Sequence, residues 1–103
     1  MPFDLSIIIA SYKRRDVLEL CLGDIAAQMT KRSFEVVLVL QAYPEGSAAE
    51  LERQFAGKLA FQSAEFPEGL GTSKARNTGL WMATGNVVAF LDDDVRLPAA
   101  WVE

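Results

Sequence analysis

The stretch VVAFLDDDVRLPAAW, Val87 to Trp101, decides how this chain is read. Five apolar residues, Val87 to Leu91, run straight into three consecutive aspartates, Asp92, Asp93 and Asp94. Adjacent carboxylates repel one another, so a buried strand that ends in three of them calls for a partner. Side chains alternate sides along an extended chain, which predicts that Asp92 and Asp94 face one way and Asp93 the other. Two carboxylates on one side, with no lysine or histidine beside them, form a hard oxygen site suited to Mg²⁺ or Mn²⁺ rather than to zinc or copper. Such a cation keeps waters and shares the oxygens of a bound phosphate. The competing reading is a solvated turn in which one aspartate caps a helix beginning near Pro98.

Working outward, the rest of the chain alternates strand-like and helix-like segments. LSIIIA (Leu5–Ala10) and EVVLVL (Glu35–Leu40) are short apolar runs rich in β-branched residues, the pattern of strands buried on both faces. Between them Val17, Leu18, Cys21, Leu22, Ile25, Ala26 and Met29 trace one stripe of a helix. SAAELERQF sets Glu50 three residues after Ser47, a capping-box spacing, with Leu51 and Phe55 on its inner face. KLAFQS (Lys58–Ser63) is a shorter third strand, TSKARNTGLWMATG a third helix with Gly85 at its C-cap, and Val87–Leu91 the fourth strand. Gly79, inside that helix, is expected to allow close packing against the sheet, since an interior glycine otherwise costs about 1 kcal/mol relative to alanine. Four alternations predict an α/β fold: a Rossmann-like parallel sheet with helices on both faces. Ligands of such sheets sit beyond the carboxyl ends of the strands. The informative residues are therefore Ser11, Tyr12 and Lys13, then Gln41 to Tyr43, then Phe66 to Gly71, and finally Asp92 to Asp94.

Composition narrows the function classes. The 103 residues suffice for one domain, half of them are apolar, and no apolar run reaches membrane-span length. A formal charge of −4 argues against binding a nucleic-acid backbone. The chain has no histidine, which rules out within it His-ligated zinc and Ser-His or Cys-His nucleophilic catalysis. A single cysteine, Cys21, and an N-terminus without signal-peptide features point to the cytoplasm. Cys21 lies on the apolar stripe and reads as core, and Trp81 and Trp101 as packing or interface residues. Only five residues follow Pro98, too few for a free-standing helix, so the chain is expected to be a portion of a larger domain, 1–103 being its first part. A sheet cut in this way would expose an edge that invites self-association.

Two further stretches bear on a ligand. GLGTSKARNTG (Gly69–Gly79) has neither Walker A nor dinucleotide-fingerprint spacing. Its Gly69 and Gly71 would still let backbone approach a ligand, ahead of a helix N-terminus that favours anions, with Lys74 and Arg76 adding positive charge. SYKRRD (Ser11–Asp16) sets a basic run at a helix N-terminus, where the macrodipole disfavours it. A phosphate-bearing ligand would relieve that, and a solvated charge cluster is the plainer account.

Taken together, these stretches resemble the N-terminal, nucleotide-sugar-binding half of family 2 glycosyltransferases, which have the GT-A fold. SIIIASYKRRDVLELCLGDI is similar to the family's opening strand, its Thr/Ser-Tyr-Asn-Arg turn and first helix. The stronger match is Ala75-Arg76-Asn77, Gly79, Ala83-Thr84-Gly85, the strand Val87–Leu91, Asp92-Asp93-Asp94 and Pro98 to Trp101, in that order. The resemblance implies that Asp92 and Asp94 correspond to the Asp-x-Asp motif that binds Mg²⁺ or Mn²⁺ and the donor diphosphate. By the same resemblance Ser11, Tyr12, Gln41, Gly71, Arg76, Asp92 and Asp93 form the substrate-binding set. It implies a nucleoside-diphosphate sugar as donor, a UDP-sugar first, a saccharide or lipid-linked acceptor, and inverting transfer by a carboxylate base from outside this chain. A place at the cytoplasmic face of the membrane would suit the full protein.

The chain also departs from the family. After the second strand the family has an acidic pair or Asp-Asn, where this chain has Leu40 and Gln41. The Gln41 amide can still donate and accept at a base edge, and Leu40 cannot. Lys13 stands where the family often has asparagine. These departures keep a second reading in play, a non-catalytic nucleotide-binding or interaction module of the same fold. A phospho-receiver domain fits less well, because Ser11 stands where its acidic residue would be needed.

Overall fold

The computed structural model describes residues 3–28, 33–69, 71–98 and 101. Along it run β1 (Phe3–Tyr12), α1 (Arg15–Ala26), β2 (Phe34–Gln41), α2 (Ser47–Gln54), β3 (Phe61–Phe66), α3 (Thr72–Met82) and β4 (Gly85–Asp92). The strands form one parallel sheet in the order β3-β2-β1-β4. The apolar runs of β1 and β2 take the two central places, and Ile7 to Ile9 and Val36 to Leu40 are all buried.

The connections fix the two faces. The chain steps from β1 to β2 to β3 in one direction, so right-handed crossovers put α1 and α2 on the same side. There Ile7, Ile9, Val36, Leu38 and Leu40 pack with Leu18, Cys21, Leu22 and Ile25 of α1 and with Leu51 of α2. Burying each such large side chain contributes roughly 1.5–3 kcal/mol. From β3 the chain returns past β2 and β1 to β4, and α3 crosses the opposite face. A Cβ on Gly79 would come within 2.3 Å of Ile8 Cγ2, so only glycine lets α3 lie this close to β1. Among the described residues β4 pairs with β1 alone, and it is only partly buried, unlike the two central strands.

Several boundaries differ from the sequence expectation. β3 begins at Phe61, not Lys58, because the N–H groups of Lys58 and Leu59 still donate to the Phe55 carbonyl in the turn that closes α2. The capping box does not form. Gly46, at φ +89°, is the N-cap of α2, the Ser47 hydroxyl donates to the Pro44 carbonyl at 2.6 Å, and Glu50 pairs with Arg15. α3 ends at Met82 with Ala83 as C-cap, and Gly85 instead opens β4, where a Cβ would meet the Leu5–Ser6 backbone at 2.6–2.7 Å. Met29 lies outside the described residues, as do residues 99 and 100 of the helix expected from Pro98. No helix among the described residues is long and apolar enough to cross a membrane.

Candidate functional site

Strand order reverses between β1 and β4, so the crevice at their carboxyl ends is the topological switch point of the sheet. A cavity of about 470 Å³ opens there, between the strand ends and the start of α3. Its wall includes Tyr12, Gln41, Gly69, Gly71, Arg76 and Asp92. The register explains the gathering. Ala10 pairs with Asp92 across β1 and β4, Tyr12 pairs with Gln41 across β1 and β2, and all four lie on the α3 face.

Each wall residue is placed by a local cause. Gly71 precedes α3 at φ +84°, ψ +153°, a conformation nearly restricted to glycine, and so lets the loop turn into the helix beside the cavity. Gly69 lies against the Tyr12 ring, where a Cβ would sit 3.0 Å from a ring carbon. Arg76, one turn into α3, extends over the Phe90 ring at 5.7 Å and comes within 3.9 Å of Asp92 Oδ1. Gln41 is buried at the end of β2. Lys74 is exposed and stands outside the wall.

By exposure the outer two aspartates differ from the middle one, but β4 ends at Asp92, and Asp93 and Asp94 lie in the turn beyond it, so strand alternation does not carry through to Asp94. The Asp92 and Asp94 side chains are 73% and 52% exposed, and that of Asp93 only 2%. Asp93 turns to the α1 face, where it accepts the Ser11 hydroxyl at 2.6 Å and the Arg14 guanidinium. Ser11 is thus buried beneath the site rather than on the cavity wall. Asp94 is not part of the wall and lies 3.7 Å from Arg14. Among the described residues no group of three or more acid, cysteine or histidine side chains is arranged to hold a metal.

The basic run after β1 finds partners within the chain. Arg14 is held by Asp93, and Arg15 bonds Glu19 at 2.8 Å and also Glu50. These carboxylates offset the unfavourable position of the run at the start of α1 without any ligand. Lys13 stands over the Tyr12 ring at 5.2 Å, in a left-handed conformation at φ +56°. The sequence marks Arg14 only as part of a charge cluster, Tyr43 only by its place after the second strand, and Phe90 only as part of the fourth strand. The bond from Tyr43 to Ser11 leaves no signal in the sequence, since the two are 32 positions apart. The one cysteine is core as expected: burial above all, then the charge of Asp24, pushes the Cys21 thiol up to about 11.

Comparison with known proteins identifies the fold and the family. Among solved structures, a mannosyltransferase from Pyrobaculum calidifontis in complex with GDP-Man and Mn²⁺ superposes with a TM-score of 0.81 at 30% identity, over 96% of this chain and 30% of that one. S. aureus TarS in complex with UDP superposes with a TM-score of 0.82 at 26% identity, over 96% of this chain and 30% of that one. The fold is thus the Rossmann-like α/β sheet of GT-A proteins. The glycosyl transferase family 2 profile matches residues 6–103, and the chain belongs to that family. Among curated relatives, glycosyltransferase AglE of Haloferax volcanii is 32% identical over 106 residues, which is all of this chain and 34% of that protein. Hyaluronan synthase of Pasteurella multocida is 31% identical over 102 residues, 95% of this chain and 10% of that protein. The chain therefore spans about a third or less of these relatives.

Proposed function

We propose that this chain is the donor-binding portion of a family 2 glycosyltransferase and takes a nucleoside-diphosphate sugar in the cavity between β1 and β4. The observation that carries this reading is the cavity at the switch point, whose wall combines two glycines, a half-exposed arginine and an exposed aspartate. Arg76 supplies positive charge for a diphosphate, Gly71 and the first turn of α3 favour an anion, and Tyr12 and Gln41 suit a nucleoside that needs one flat apolar face and one hydrogen-bonding edge. Support comes from relatives of the same fold that hold GDP-Man or UDP.

A divalent cation, Mg²⁺ or Mn²⁺, belongs to the same proposal. Asp92 and Asp94 are exposed oxygen donors, which fits a hard cation that takes few protein ligands and fills its shell with water and phosphate. When bound, it would neutralise charge on the diphosphate leaving group. The sugar would pass with inversion to a saccharide or lipid-linked acceptor, and the base that activates that acceptor is not assigned to any residue described. Leu40 and Gln41, in place of an acidic pair, favour a second reading, a nucleotide-binding module without turnover.

Calorimetric titration of UDP and of GDP, each with and without Mn²⁺, tests the reading. Metal-dependent binding is expected, weakened at least tenfold, about 1.4 kcal/mol, by Asp92→Asn. Binding that is indifferent to both the metal and this substitution would refute the cation site.

A further inference from the structure

The middle aspartate has a different role from its neighbours. Both oxygens of Asp93 are taken by the protein, Oδ2 by the Ser11 hydroxyl and Oδ1 by Arg14. Because Ser11 gives its single proton to Asp93, the Tyr43 hydroxyl donates to Ser11 Oγ, and the Arg14 backbone N–H donates to Tyr43 Oη at 3.2 Å. Burial above all pushes the Tyr43 phenol above its ordinary value, in keeping with a donor role. One continuous chain of hydrogen bonds therefore joins the connection after β2, the end of β1 and the end of β4. Asp93 and its partners close the floor of the cavity from the α1 side.

We propose that Asp93 is a positioning residue, which anchors the end of β4 to β1 through Ser11 and holds the Arg14 guanidinium at the cavity wall, so that Asp92 and Asp94 project from a fixed base. The anchor also accounts for three carboxylates in a row, since the middle one has its own counter-ion and only the outer two are left to meet a ligand. The two outer pairs, Arg14 with Asp94 at 3.7 Å and Arg76 with Asp92 at 3.9 Å, are long and exposed, and pairs of that kind exchange partners at little cost. The Asp93 pair is buried on its acid side, and removing one partner from such a pair is strongly unfavourable. An arriving phosphate can therefore draw the outer pairs apart while Arg14 stays in place. This consequence for the ligand rests on the donor-site reading above, whereas the anchor itself does not.

Asp93→Asn tests the anchor, because the new amide still accepts from Ser11 but sets a donor against the Arg14 guanidinium. Amide hydrogen exchange at residues 91–97, read by mass spectrometry, is expected to quicken about tenfold while exchange in β2 and β3 stays unchanged. Exchange unchanged at residues 91–97, or quickened equally throughout the chain, would overturn the proposal. In parallel, Mn²⁺-dependent affinity for GDP or UDP should fall about tenfold in Asp93→Asn, and exchange at residues 91–97 should slow again in part in Asp93→Asn/Arg14→Gln, where an uncharged donor–acceptor pair is restored. Affinity equal to the wild type in Asp93→Asn, or exchange no slower in the double variant than in Asp93→Asn, would also overturn it. Should Asp93→Asn fail to fold, Ser11→Ala removes one hydrogen bond only, and a smaller local quickening of exchange is expected, with none counting against the anchor. If the unaltered chain binds neither nucleotide, the donor-site reading falls and the exchange measurement alone decides the anchor.

Discussion

Replacing Glu35 by glutamine should destabilise the chain by about 2–3 kcal/mol, although the change alters one atom and lies at the end of the sheet away from the cavity. Glu35 is buried at the start of β2. Its Oε2 accepts the Ser6 hydroxyl at 2.6 Å and both the backbone N–H and the hydroxyl of Thr84 at 2.8 Å, and its Oε1 accepts Gln62 Nε2 at 3.0 Å. Gln62 Nε2 also donates to the Met82 carbonyl at 2.7 Å, and Ser6 Oγ accepts the Gly85 N–H at 2.7 Å. One carboxylate thereby ties β1, β3 and the α3–β4 connection together. An amide has only one acceptor oxygen, so its nitrogen must face Gln62 or the Ser6–Thr84 donors. Either placement leaves a buried donor unsatisfied, at about 1–3 kcal/mol, and weakens hydrogen bonds that the charge had strengthened. For a domain near this size, about 4–8 °C per kcal/mol converts the loss to roughly 10–20 °C in Tm.

The pH dependence supplies a second arm to that test. Burial works to raise the Glu35 pKa, but hydrogen bonds from Ser6, Gln62 and Thr84 outweigh it, and the carboxyl is held below its ordinary value. A folded-state pKa below the unfolded one means that the stabilisation is fully present above the ordinary glutamate value, roughly 4.3, and fades as pH falls through the lower folded value. Thermal unfolding of the wild type and Glu35→Gln should therefore differ most near neutrality and converge in acid. A Tm within a few degrees of the wild type at neutral pH, or a difference that stays constant into acid, would refute the reasoning.

Gly79→Ala should cost stability overall, because overpacking against Ile8 at roughly 1–3 kcal/mol outweighs the helix-propensity gain of about 1 kcal/mol. In an Ile8→Ala background, which removes the methyl in the way, the same change should stabilise; urea unfolding that gives the same sign in both backgrounds would contradict this packing. β4 presents an edge with Val87 and Phe90 exposed, so copies of this chain are expected to associate as concentration rises, and light scattering at a constant monomer mass would count against it.

Much of the fold was legible because burial writes itself into composition. The apolar runs of β1 and β2 mark the centre of the sheet, and the stripe from Val17 to Ala26 marks the face that α1 turns to it. Boundaries were less legible wherever two local signals competed. Ser47 and Glu50 have capping-box spacing, yet Gly46 caps the helix, because Ser47 finds the Pro44 carbonyl and Glu50 finds Arg15. Gly85 looked like a helix stop and proved to be a point of backbone contact with β1, a role set by a strand nearly eighty positions earlier.

For the site, the sequence by itself determined which residues stand after each strand, because that follows from where the apolar runs end. It could not say what those residues meet. Only the tertiary structure decided that Asp93 meets Ser11 and Arg14 while Asp92 faces Arg76. The physical reason is that these partners come from elements brought together by the parallel register of β1 and β4. Hydrogen bonds between residues 79 and 82 positions apart leave no periodic trace along the chain.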